Sequence, residues 1–239
     1  MYYAIVRSTV TPVRPDALTL LDSLPDEERS AVLKRCHRTR HATGDFIFHV
    51  GQKGDALHVI TKGRVTASAG GGLGEPVTLA VMGVGEAFGE MALIDPDEAR
   101  TATIRAIEPT ETLVLLQADF HELRRRSPAV NDLLIRVLVA RVRRLTNQLT
   151  ELAELPAPVR IHRQVVALGA LFEVTDTDRP IPVSQHQVAS LAGAKLRVTN
   201  KVLSEARTAG TLSTGRRRIV VHDWQAVRRA ARQPAAGAW

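Results

Sequence analysis

The stretch Phe88–Ala102, FGEMALIDPDEARTA, sets one carboxylate, Glu90, ten residues ahead of one guanidinium, Arg100, with the hydroxyl of Thr101 directly after it. Gly89 precedes the carboxylate, and the apolar Met91, Ala92 and Leu93 follow it. An arginine fork matches the geometry of a phosphate, a threonine hydroxyl adds a neutral donor, and a carboxylate accepts from a hydroxyl. Glycine lets a backbone amide approach a ligand closely. Taken singly, Glu90 and Arg100 read as exposed charges beside a loop, so the meaning of the stretch rests on what surrounds it.

On both sides of it, from about residue 37 to 117, short apolar runs alternate with glycines. DFIFHV, ALHVITKGRVTAS, EPVTLAVMGVG and TATIRAIEPTETLVLL are rich in Val, Ile, Thr and Phe, and Gly44, Gly51, Gly54, Gly63, Gly70 to Gly72, Gly83 and Gly85 stand between or within them. That texture predicts strands joined by turns, and strands recurring at this spacing predict a small barrel or jelly roll. An amphipathic segment, DALTLLDSLPDEERSAVLKRC, precedes them.

Downstream the period changes. Ile135, Leu138, Val142, Leu145, Leu149 and Leu152 alternate spacings of three and four, a heptad seam on one long helix, and no glycine or proline interrupts residues 131–155. A two-per-heptad stripe predicts pairing with a second copy, a parallel homodimer. Pro156 and Pro158 then end the helix, because proline lacks an amide proton and disfavours helix in the residue before it. Beyond this boundary VRIHRQVVALGALFE predicts a helix and TDTDRPIPVS a loop. Ser184 is placed to cap a short helix over Gln185–Leu191, Gly193 to make a tight turn, and Lys195–Thr208 to form a second helix. Short helix, turn and longer helix is the helix-turn-helix pattern. TLSTGRRRIVVHD predicts a hairpin turning near Gly215, and WQAVRRAARQPAAGAW a last helix and tail.

Charge divides the chain at the same boundary. The net charge is +7, yet residues 156–239 hold 13 basic and 5 acidic side chains, so the excess positive charge sits in the last third. That asymmetry predicts a polyanion partner for this third and a different task for the rest.

In this order the parts resemble the Crp/Fnr transcription regulators, in particular their cyclic-AMP receptor branch, over roughly residues 18 to 228. ATGDFIFHVGQKGDALHVITKGRV is similar to the family's early β-roll, FGEMALIDPDEARTATIRA to its phosphate-binding cassette, and RLTNQLTEL to the helix segment that faces the adenine. The resemblance implies an α+β fold in four parts: an N-terminal helix and cyclic-nucleotide-binding β-roll over 1–130, a dimerisation helix over 131–155, a winged helix-turn-helix over 156–228, and a tail over 229–239. It implies cyclic AMP as allosteric ligand, held by a site of Gly89, Glu90, Met91, Ala92, Arg100 and Thr101, in which Glu90 takes the ribose, Arg100 and Thr101 take the phosphate, Gly89 aims a backbone amide at the ligand, and Met91, Ala92 and Leu93 pack the turn between them. Thr146 and Asn147, next to the seam residue Leu145, would reach the adenine. It further implies double-stranded DNA with a pseudo-palindromic operator and a second copy as partners, with RNA polymerase as a possible third.

For DNA, Lys195, Leu196, Arg197, Thr199, Asn200 and Lys201 occupy the N-terminal half of the expected recognition helix, the part that meets base edges in a major groove. Lys and Arg suit guanine and Asn suits adenine. Arg216, Arg217 and Arg218, in the wing, suit phosphates. The cyclic-AMP receptor branch usually carries Arg-Glu-Thr where this chain reads Leu196, Arg197 and Val198, which puts the familiar operator in doubt.

Other classes are disfavoured. The single Cys36 excludes an internal disulfide framework and a four-thiolate iron-sulfur cluster within one chain. His37, His41, His49 and His58 lack the spacing of a metal-binding set, so no metal is expected, and no nucleophile signature suggests an enzyme. No apolar run approaches the ~20 residues of a membrane helix and no leader pattern opens the chain, so a cytoplasmic location is expected. Two rival readings stay open: the same fold with a vestigial pocket or another effector such as cyclic GMP or a cyclic dinucleotide, and a cyclic-nucleotide-binding module acting on a protein partner.

Overall fold

Strand β3, Ala56–Lys62, shows how the N-terminal half is built. Its odd-numbered Leu57 and Val59 point to one apolar cluster and its even-numbered Ile60 to another, the two-residue period of a strand covered on both faces. Behind one face lies the interior of a roll. Helices cover the other. The structure, a computed structural model, describes residues 21, 23–70, 75–95, 99–174 and 179–232. Parts of the expected N-terminal segment, of the glycine run at 70–72, of the loop beginning at Thr175 and of the C-terminal tail, and residues 96–98 of the cassette, lie outside them.

Two antiparallel four-stranded sheets form the roll. One runs β1 (His37–His41), β8 (Thr110–Leu116), β3, β6 (Ala87–Phe88); the other runs β2 (Phe46–Phe48), β7 (Thr103–Ala106), β4 (Val65–Ala69), β5 (Val77–Met82). Ile60, Val65, Met82, Phe88 and Ile104 fill the space between the sheets. Against the first sheet pack α1 (Asp26–Arg35), α2 (Gln117–Arg126) and the first turns of α3 (Ala129–Glu154), through Val32, Phe120, Leu123, Val130, Leu133 and Val137.

β1, the short β6 and α2 were not read from the sequence. β1 is HRTRH, an edge strand without apolar alternation that is held by its register with β8. α2, QADFHELRRR, buries only Phe120 and Leu123, too few for a period to register. The run from Thr103 to Leu116 splits into β7 and β8, hydrogen-bonded to different sheets.

α3 ends at Glu154 because Leu155 turns extended ahead of Pro156. The second half follows: α4 (Ala157–Leu171), α5 (Gln185–Leu191), α6 (Leu196–Thr208), the hairpin β9 (Leu212–Gly215) and β10 (Arg218–Val221), and α7 (Trp224–Ala230). Ser184 caps α5 as expected, in a full capping box with Gln187. This half has its own core, built around Ile161, Val165, Val188, Leu203 and Ile219, which Val81 of β5 also joins. Arg64 of the roll lies over the ring of Phe172 at 4.8 Å, donates to the Leu171 carbonyl at 2.7 Å and pairs with Glu108 at 2.6 Å. Arg160 donates to the carbonyls of Leu155, Ala192 and Gly193, tying the end of the long helix to the helix-turn-helix.

The seam on α3 needs one correction. Leu138 turns toward the roll's helical cluster, and Val139 is exposed in its place. Ile135, Val142, Leu145, Leu149 and Leu152 are exposed as expected.

Candidate functional site

The cassette closes on itself. Glu90–Leu93 forms one 3-10 turn, entered through Gly89 at a φ of 83°, in the left-handed region. A side chain there would be strained and would also collide: a Cβ on Gly89 would stand 2.6 Å from Nη1 of Arg100 and 2.7 Å from the carbonyl oxygen of Ala56. Glu90 and Arg100 lie near enough for the carboxylate to act on the guanidinium, and both are buried, with 4% and 8% of their surface exposed. Ala92 and Leu93 pack beneath as expected, whereas Met91 is exposed and offers its sulfur to the Thr101 hydroxyl at 3.8 Å.

Arg100 is held by its surroundings. Nη1 donates to the carbonyls of Ala56 at 3.0 Å and Gly89 at 3.1 Å. Its backbone pairs with the β2–β3 loop, receiving from Gly51 and donating to Gln52, both at 2.8 Å. A Cβ on Gly54 would stand 2.7 Å from Nε of Arg100, so that glycine is required for the guanidinium to lie where it does. Nε is buried and has no partner among the described residues. Burial lowers the pKa of this guanidinium, while Asp55 and Glu90 oppose the shift. A buried cation with an unused N–H lacks an acceptor, and an anion's oxygen would supply one.

Glu90 also has a partner that the sequence did not disclose. Arg141 of α3 reaches it at 3.4 Å, and one helical turn on, Arg144 pairs with Glu86 at 3.0 Å. The long helix is thus fastened to the pocket's carboxylate and to the turn beside it. Thr146 and Asn147, the residues expected at an adenine, lie exposed farther along α3, Thr146 about 7.5 Å of helix rise beyond Arg141. One turn of residues before them, a basic side chain on the inward face was the available signal for Arg141, and only its neighbours in space gave it meaning.

Behind the pocket His58 is buried, stacked on Phe88 at 5.0 Å with planes 6° apart, and its Nδ1 lies 3.4 Å from the Thr112 hydroxyl. Burial first, then the charges of Arg100, His41 and His37, push its pKa down from 6.5 to about 3. An unfolded chain takes up that proton near 6.5 and the fold not until about 3, so His58 makes stability fall as pH drops through that window. The slope is at most about 1.4 kcal/mol per pH unit. Denaturant titrations at stepped pH should find stability falling more steeply with acidification below about pH 6.5 in the parent than in His58→Gln. Among the described residues no three of His, Cys, Asp or Glu gather in a geometry to hold a metal ion. Among them, too, no helix is long and apolar enough to cross a membrane.

On α6 the base-reading candidates separate. Lys195, at the N-cap, and Leu196, Arg197, Asn200 and Lys201 are exposed. Thr199 is fully buried, its hydroxyl directed at the Lys195 carbonyl at 3.4 Å, so it is withdrawn from the base-reading set: one turn of a helix cannot present every residue to one groove. Arg216, Arg217 and Arg218 stand exposed at the wing, where Arg217 adopts a φ of 52° in the turn.

A β-roll carrying this cassette, joined by one long helix to a winged helix-turn-helix, has the architecture of a DNA-binding regulator with a separate ligand-binding half. The profile of the cyclic nucleotide-binding domain matches residues 38–127, and that of the Crp-like helix-turn-helix domain matches residues 143–230. The cyclic AMP receptor protein of Thermus thermophilus is 32% identical over 201 residues, 82% of this chain and 88% of that protein. A CRP-like cAMP-activated global transcriptional regulator of Mycobacterium tuberculosis is 25% identical over 85% of this chain and 92% of its own length. Among solved structures, the global regulator CLP of Xanthomonas campestris, described as c-di-GMP responsive, shares the fold with a TM-score of 0.68 at 24% identity, covering 82% of this chain and 99% of that one. The chain belongs to the Crp/Fnr family of transcription regulators, a cyclic nucleotide-binding domain joined to a DNA-binding one. Its relatives are regulators, not enzymes.

Proposed function

We propose that this chain is a homodimeric, cyclic-AMP-responsive regulator that binds a pseudo-palindromic DNA site. The observation that carries the effector reading is the buried Arg100, with Nε unpartnered among the described residues, close enough to the buried Glu90 to feel its charge. The cyclic phosphate lies on Arg100, with Thr101 beside it, and the ribose 2′-hydroxyl donates to Glu90. Thr146 and Asn147 meet the adenine, one of them from each subunit. Because Arg141 shares Glu90, the ligand enters the same network that fastens α3, and α3 runs straight into the linker held by Arg160. Cyclic AMP changes DNA affinity to the extent that it binds one arrangement of these elements better than another. The name of the Thermus relative supports cyclic AMP over other effectors. Calorimetry of the full chain against cyclic AMP, cyclic GMP and cyclic di-GMP tests this reading: tightest binding of cyclic AMP supports it, and preference for another ligand overturns the choice of effector.

On DNA the two basic surfaces do different work. Arg216, Arg217 and Arg218 neutralise phosphates, so their joint change to Ala weakens binding on all sequences alike and flattens the slope of log K against log salt by ~0.9 per lost contact. Arg197 meets a base edge, so Arg197→Ala costs ~1 to 3 kcal/mol on the preferred site and relaxes one symmetric pair of positions in half-sites ~34 Å apart. Operator selection from a randomised pool at two salt concentrations checks both. A changed motif in the wing variant, with an unchanged one in Arg197→Ala, reverses the assignment.

A further inference from the structure

Beneath the Arg100 guanidinium lies the ring of Phe48, its centroid 4.1 Å from the guanidinium carbon. No other cation stacks so closely on a ring among the described residues; the other contacts run from 4.8 to 6.0 Å. The ring is itself fixed. It meets Phe88 at 5.8 Å and His58 at 5.9 Å, both tilted, and Phe48 pairs with Ile104 in the sheet. Two carbonyls hold Nη1 and Gly54 packs close to Nε and the guanidinium carbon, while the ring of Phe48 supplies a flat face for the guanidinium to lie on.

We propose that Phe48 is a positioning residue of the anion site: its π face, through attraction to the cation, orients Arg100 so that Nε meets the ligand's anionic group. The proposal rests on the reading of Arg100 as the anion-binding residue. A guanidinium over a ring face keeps its charge while shedding water, and the contact fixes its plane without consuming an N–H. A leucine at residue 48 would fill the space and not hold that plane. The donors would remain, with their direction lost.

The full-length chain with Phe48 replaced by mono-, di- and trifluorophenylalanine separates this role from simple packing, since fluorine drains the ring face with little change of shape. Cyclic-AMP affinity should fall stepwise along the series, Phe48→Leu should weaken it by about three- to thirtyfold, and Phe48→Trp should keep it. Equal affinity across the fluorinated series overturns the proposal, because a packing role would give that result. A second readout needs no nucleotide. In the parent, the NMR signal of the Arg100 Hε proton should be displaced upfield by the Phe48 ring current, and Phe48→Leu should return it toward the ordinary arginine position. Absence of that displacement overturns the stacking itself. Should the parent fail to bind cyclic AMP, the effector assignment falls, and the Hε displacement alone decides whether Phe48 orients Arg100.

Discussion

Arg100→Ala should abolish measurable cyclic-AMP binding by the full chain. Arg100 is 8% exposed and holds a buried donor, Nε, unpartnered among the described residues, and losing a charge-assisted pair of the kind proposed for it costs about 2 to 5 kcal/mol of binding. The same change strips the carbonyls of Ala56 and Gly89 of their shared donor, so a modest loss of stability, about 1 to 3 kcal/mol, accompanies it. Arg100→Lys separates the two effects. It keeps the charge and loses the fork, so it should bind more weakly than the parent and better than the alanine variant. Glu90→Gln should cost less than Arg100→Ala, because an amide oxygen still accepts from a ribose hydroxyl, although Arg141 loses its ionic partner. Calorimetry on variants shown to be folded by circular dichroism checks the ranking. Parent-like affinity in folded Arg100→Ala would remove the anion from this pocket.

Leu145→Asp combined with Leu149→Asp should give monomers by light scattering, against the dimer proposed for the parent. These leucines are 51% and 67% exposed on α3, in line with Ile135, Val142 and Leu152, while the opposite face of the helix's first half is buried in the roll. An apolar stripe of this length on a helix already seated by its other face needs a cover, and a second copy of the same helix supplies one at matching spacing. Four aspartates in that seam would be desolvated without partners. Retained dimers in the double variant would place the interface elsewhere and leave the stripe unexplained.

These two predictions draw unequally on sequence and structure. The exposed apolar stripe was readable from its spacing alone, except that Leu138 and Val139 exchange roles. Periodicity marks a stripe about two residues wide, and only the roll's packing decides which of two neighbours it claims. Thr199 shows the same limit in the recognition helix. Its residue type suits a base edge, and its place on the helix turns it into the core. The pocket divides in a similar way. The left-handed Gly89 was legible because the tight turn it enters lies within one short stretch, and Glu90 and Arg100, the residues proposed for the ligand, stand in that same stretch.

Local chemistry determined a good deal of this protein without any fold in view. The strand texture between turns, the end of the long helix at Pro156, the capping box at Ser184 and the cassette are each written within a dozen residues, because propensity, capping and turn geometry act at short range. Tertiary structure alone decided the pocket's far walls. The carbonyl of Ala56 comes from 44 residues before Arg100, Arg141 from 51 residues after Glu90, and Phe48 and Gly54 from the loop and strand across the cassette. A buried charge must find its acceptors and its ring face wherever the sheet register delivers them, and that register belongs to the whole chain.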